Sequence, residues 1–167
     1  LCAESKYSDA EKYYAKILEE REHAFGLNSP EIVADISDLG RVAFAQMKFG
    51  TAENYYSRAL QILENAKGKN SLDIVPVLNQ LAKVTRAATN YMGSEQFAQR
   101  ALGIVERYRG AEHADNVPAL INVARVQLLQ QTPAKALPLL QRALAIQEKA
   151  SGLMGLELAP VLDLLGE

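Results

Sequence analysis

Apolar side chains along the chain recur at steps of three and four, the period of one face of an α-helix. Ala52, Tyr55, Tyr56, Ala59, Leu60, Ile62 and Leu63 mark one such face, with polar residues between them. They predict an amphipathic helix ending near Gly68. A glycine just past a helix suits the left-handed C′ position, which a Cβ would strain. Ile74, Leu78, Leu81, Ala82 and Val84 predict a second helix with the same spacing. Pro76 belongs in the first turn of that helix, where the missing N–H would have no intrahelical partner anyway. Asp73 is therefore expected at or beside its N-cap.

These two helices form one unit of a repeat. Gly26, Gly68, Gly110 and Gly152 are each 42 residues apart. The same step carries Ala10 to Ala52, Ser94 and Ala136, and Ile17 to Ala59, Ala101 and Ala143. It also carries Leu39 to Leu81, Val123 and Leu165, and Gly40 to Ala82, Ala124 and Gly166. Acidic residues keep step at Glu22, Glu64, Glu106 and Glu148, then at Glu31, Asp73, Asp115 and Glu157. No insertion interrupts the register. Pro76 recurs as Pro118 and Pro160; in the first period Ala34 stands there, and Ser29-Pro30 predicts an N-cap and N1 a few residues earlier. The small columns let two backbones approach, and Tyr13, Tyr55, Phe97 and Leu139 are expected to fill the space between successive hairpins. One hairpin cannot bury its apolar face alone, so stacked neighbours must do it, giving an all-α solenoid.

The columns resemble the tetratricopeptide repeat, in the 42-residue form of kinesin light chains and many bacterial scaffold proteins. The signature falls on Leu39-Gly40, Phe49, Ala52, Tyr56 and Ala59. It returns as Leu81-Ala82, Tyr91, Ser94, Ala98 and Ala101, then as Val123-Ala124, Pro133, Ala136, Leu140 and Ala143. The stretch A-E-N-Y-Y-S-R-A-L-Q-I at 52–62 is similar to the second helix of the kinesin-light-chain repeat. The resemblance implies a right-handed α-solenoid of antiparallel helix hairpins over 1–167, with repeats at 7–48, 49–90, 91–132 and 133–167. In that register Leu1 to Ser5 and Pro160 to Glu167 fall inside first helices at either end, and a longer parent array is expected.

The resemblance further implies a non-catalytic scaffold whose first helices line a concave groove for a peptide or helix of a partner protein. Ser37, Arg41, Phe44, Asn79, Lys83, Arg86, Asn122 and Arg125 are the expected groove residues. Arg41, Lys83 and Arg125 form a basic column, suited to an acidic peptide because guanidinium groups bind carboxylates in a bidentate manner. Pairing with acids of neighbouring helices, or plain solvent exposure, is the alternative for that column. Asn79 and Asn122 suit hydrogen bonds to an extended backbone, against a merely polar helix surface. The clamp for chaperone tails in other tetratricopeptide proteins is not matched by Ser37, Arg41, Gln80, Pro118 and Asn122.

Charge and composition narrow the rest. Eighteen basic and 20 acidic residues give a net charge of −2, so no broad pull toward nucleic acid exists, and no membrane insertion is expected. The single cysteine, Cys2, has no evident activating base and fits a reducing cytosol without requiring one. His23 and His113 stand apart at helix ends, as surface or capping residues. Gly68-Lys69-Asn70-Ser71 lacks the upstream glycine of a phosphate loop, and the glutamate columns are spread rather than convergent. No enzyme activity, cofactor or metal is expected. The Tyr13-Tyr14 and Tyr55-Tyr56 pairs are assigned to the core rather than to base stacking. End-to-end self-association, or a peptide-sensing regulatory module of a larger protein, is the alternative function.

Overall fold

In the computed structural model, which describes residues 2–151, seven α-helices are joined in a row, with a short 3-10 turn before the second, fourth and sixth. They are α1 (Cys2–Phe25), α2 (Val33–Ala45), α3 (Phe49–Lys67), α4 (Val75–Ala87), α5 (Tyr91–Arg109), α6 (Val117–Leu129) and α7 (Pro133–Ser151). Short α2, α4 and α6 begin 42 residues apart, as do long α3, α5 and α7, so the step seen in the sequence is the step of the fold. Each short helix packs on the long helix that follows it, and each long helix on the short helix of the next unit. The result is an all-α solenoid. Gly152, Glu157, Gly166 and the expected helix at Pro160 to Glu167 lie outside the described residues.

The boundaries show how local chemistry sets the elements. Before each short helix a 3-10 turn opens at Pro30, Leu72 or Ala114. Its caps are Ser29, Ser71 and His113, whose side chains accept the N–H of the residue two further on. Asp73 and Asp115 are those donors; each stands directly beside the N-cap of the following α-helix, Ile74 or Asn116, in a first turn whose partial positive charge favours a carboxylate. The first unit also does not start early. Ser29-Pro30 opens the 3-10 turn, and α2 begins at Val33 in the common register. At the other end, Cys2 to Ser5 were expected in a separate helix, but α1 runs unbroken from Cys2. No glycine or proline before Gly26 compels a break there.

Helix ends hold a second correction. Gly26, Gly68 and Gly110 have φ of 91°, 93° and 91°. For Gly68 and Gly110 ψ is 155° and 164°, an extended conformation open essentially to glycine alone, rather than the left-handed helical one. The left-handed caps lie instead after the short helices, at Met47, Thr89 and Gln131 (φ 60°, 63° and 58°). Lys48 N–H donates to the Ala43 carbonyl and Met47 N–H to that of Phe44, the paired bonds of a Schellman cap, repeated in both later units.

The core is an apolar seam running from unit to unit. Ile36, Leu39, Tyr56, Ile74, Leu78, Leu81, Val105, Leu120, Leu140 and Ile146 are all buried in it. Half-buried Phe97 and Leu139 bridge adjacent clusters, as expected of their column, Tyr55 of the same column packs on the first cluster, and Leu102 from another column also bridges two clusters. Tyr13 departs from the expectation: it is 65% exposed, in an edge-to-face pair with Tyr14 (ring centroids 5.6 Å apart). Helix spacing is set by pairs of complementary size. Tyr56 lies against Gly40, Ala98 takes the tyrosine's place opposite Ala82, and Leu140 takes it opposite Ala124. Ser94, in an alanine column, stays buried because its hydroxyl donates to the Ala82 carbonyl at 2.7 Å.

A recurring ionic tie joins successive long helices. Arg58 meets Glu22 at 2.6 Å, Arg100 meets Glu64 at 2.5 Å, and Arg142 meets Glu106 at 2.6 Å. Each arginine also donates to a loop carbonyl, of Leu27, Lys69 or Ala111 respectively. The glutamate column is thus held by an arginine column 36 residues on, which the sequence reading did not single out.

Candidate partner-binding face

Each short helix turns one stripe into the seam and leaves the opposite one open. In α2 the buried stripe is Ile36, Leu39, Gly40 and Ala43. Ser37, Asp38 and Phe44 are half-buried on the other side, and Arg41 is exposed. The same pattern in α4 leaves Asn79, Gln80, Lys83 and Arg86 accessible, whereas in α6 Asn122 is buried and Arg125 half-buried. The eight residues expected in the groove therefore share this side of the short helices, with Asn122 withdrawn beneath its surface. α4 also touches α6 directly, so the short helices approach one another across the units.

The side chains differ in how far their chemistry is already engaged. The Ser37 hydroxyl donates to the Val33 carbonyl at 2.7 Å. Arg41 pairs with Asp38, one turn back on its own helix, at 2.6 Å. The amide nitrogen of Asn122 donates to the Asn79 carbonyl at 3.3 Å, which ties α6 to α4 and explains its burial. Lys83 places its ammonium 4.6 Å from the centroid of the Phe44 ring, a cation–π contact between units. Phe44 in turn packs on Phe49, with centroids 5.5 Å apart.

Arg125 stands to Arg86 in sequence as Lys83 stands to Phe44, 39 residues on in both cases. Here the residue that stands in the ring's position is a second cation. Burial lowers the Arg86 pKa from its usual value, and the charge of Arg125 lowers it further. The Nε atoms of both arginines are buried without a hydrogen-bond partner, and neither forms an ion pair among the described residues. The cross-unit pairing was not evident from single columns. Comparing each column with the one three residues later in the preceding unit would have exposed it.

Two recesses flank this polar stripe. A cleft of about 400 Å³ is lined by Leu72, Val75, Pro76, Asn79, Val105 and Pro118, with Arg109 and Asp115 also at its wall. A smaller one of about 180 Å³ lies beside Ser37, Arg41, Tyr56 and Gln80. His113, by contrast, is used as a cap: its Nδ1 accepts the Asp115 N–H at 3.2 Å. Among the described residues no helix is long and apolar enough to cross a membrane, and no three His, Cys, Asp or Glu side chains gather as a metal site would require.

The architecture is that of a tetratricopeptide solenoid. Residues 73–149 match the family model described as tetratricopeptide repeat. Among solved structures, the chain is similar to BtubC (BKLC) from P. vanneervenii, with a TM-score of 0.78 at 22% identity over 90% of this chain. It spans 60% of the BtubC chain. It is also similar to a putative kinesin light chain of nearly identical TPR-like repeats from Podosopora anserina (TM-score 0.73, 16% identity, 90% of this chain and 71% of that one). The N-terminal domain of stress-induced protein-1 from C. elegans aligns less closely, with a TM-score of 0.57, 18% identity, and coverage of 81% and 96% of the two chains. No curated protein sequence gives a significant match. The fold is thus kinesin-light-chain-like, and repeats of this kind generally mediate protein–protein interactions as scaffolds without catalytic activity.

Proposed function

We propose that this chain is a protein-interaction scaffold that holds an acidic peptide or helix of a partner protein along the open face of α2, α4 and α6. The observation that carries this reading is a contrast between the cations that join successive long helices and those on the open face of the short ones. On the long helices Arg58, Arg100 and Arg142 each hold a glutamate. On the short helices Lys83, Arg86 and Arg125 hold no carboxylate among the described residues. Of the expected basic column, only Arg41 has its own acid, Asp38. A partner that brings carboxylates supplies the missing counter-charge, and the adjacent apolar cleft offers its side chains a place to be buried.

A labelled Glu- and Asp-rich peptide should bind with a dissociation constant on the order of micromolar and weaken as salt is raised. Reversing Arg41, Lys83 and Arg125 to Glu should abolish that binding and remove partners captured by the native chain, while far-ultraviolet circular dichroism stays unchanged. Retention of the same partners by the folded triple variant would contradict the reading.

A further inference from the structure

The Arg86–Arg125 site is more demanding than the rest of the face. Its two guanidinium groups come from successive units and repel each other, and both arginines are half-buried. Each keeps a buried Nε–H that nothing among the described residues accepts. The neighbouring cation of the same register, Lys83, rests on Phe44 and needs no anion to be accommodated. The unmet demand is therefore local: two positive charges on touching helices, neither with a carboxylate among the described residues.

We propose that the Arg86–Arg125 pair is the seat of a phosphate group carried on a phosphorylated side chain of the partner peptide, an inference that rests on the acidic-partner reading of this face. A carboxylate has a single negative charge and two oxygens, so it can satisfy one guanidinium fork in bidentate geometry. A phosphate monoester carries close to two negative charges near neutral pH and three terminal oxygens. It can receive paired N–H bonds from both arginines and balances their combined charge. Lysine would serve poorly here, because the paired terminal N–H groups of a planar guanidinium are what match the phosphate oxygens. Arg41 is excluded from the site by its bond to Asp38.

The test uses two fluorescent peptides of one sequence, differing only in phosphoserine or glutamate at the central position. The phosphoserine peptide should bind the whole chain at least about tenfold more tightly, a difference of about 1.4 kcal/mol. It should also shift the arginine Nε–H resonances of Arg86 and Arg125 in nuclear magnetic resonance spectra. Arg86→Gln and Arg125→Gln should each remove that preference, whereas Arg107→Gln, at an exposed position on α5, should keep it. Because the two arginines repel, Arg86→Gln should unfold at a temperature no lower than the native chain, which separates lost binding from lost folding. Equal binding of the two peptides would overturn the phosphate assignment and leave the acidic-partner reading standing. Phosphopeptide binding indifferent to both Gln variants would overturn it as well. Failure of both peptides to bind would remove both readings.

Discussion

A methyl group added at Gly40 would stand 2.9 Å from the Tyr56 ring, well inside van der Waals contact. The later units solve the same contact with Ala82 against Ala98 and Ala124 against Leu140, so a larger residue on the short helix is matched by a smaller one on the long helix. Gly40→Ala should therefore destabilise the chain by about 1–3 kcal/mol through overpacking, despite the better helix propensity of alanine. Combined with Tyr56→Leu, which reproduces the third unit, its cost should shrink. Urea unfolding of the two single variants and the double variant would reveal a coupling of about 1 kcal/mol or more. Strict additivity would mean that the ring does not set the helix spacing. At this scale the sequence was partly legible. The small column at 40, 82 and 124 was plain, but its partner column of Tyr56, Ala98 and Leu140 varies in size and only the packing shows why. The caps were harder. Ser29, Ser71 and His113 perform one task with two chemistries, and a histidine does not announce itself as the equivalent of a serine.

Among the helices, α7 carries a defect that the others lack. Pro138 lies inside it, where Asn54 and Gln96 occupy the equivalent positions of α3 and α5. Its ring supplies no N–H to the carbonyl one turn back and crowds that carbonyl. Pro138 is exposed, so no packing is lost when it is replaced. Pro138→Gln should stabilise the chain by about 1–3 kcal/mol, measured as a higher unfolding midpoint. A lower midpoint would show that Pro138 itself is needed for docking α7 on α6. Element boundaries followed the 42-residue step because hydrophobic period, proline and glycine all point to the same borders. The ties between helices did not emerge so readily. Arg100 and Glu64 are 36 residues apart, and Arg86 and Arg125 are 39 apart; neither spacing is the repeat length, so columns read singly hide the pairs. These separations depend on how one hairpin is set against the next, which is a property of packing rather than of local pattern.

For the whole molecule, the seam and the arginine–glutamate ties fix which surface is spent and which is left over. Arg58, Arg100 and Arg142 tie one long helix to the next, and the short helices leave Lys83, Arg86 and Arg125 without acids among the described residues. The fold class and the residues of the open face could be anticipated from the repeat register. The withdrawal of Asn122 and the unequal state of the basic column could not, since both arise from contacts between units. The account stands on where a partner lies. A photo-crosslinking residue placed at Asn79 on the open face should capture the acidic peptide, and the same residue at exposed Ser57 on α3 should not. Capture from position 57 with none from position 79 would contradict the assignment of the binding face.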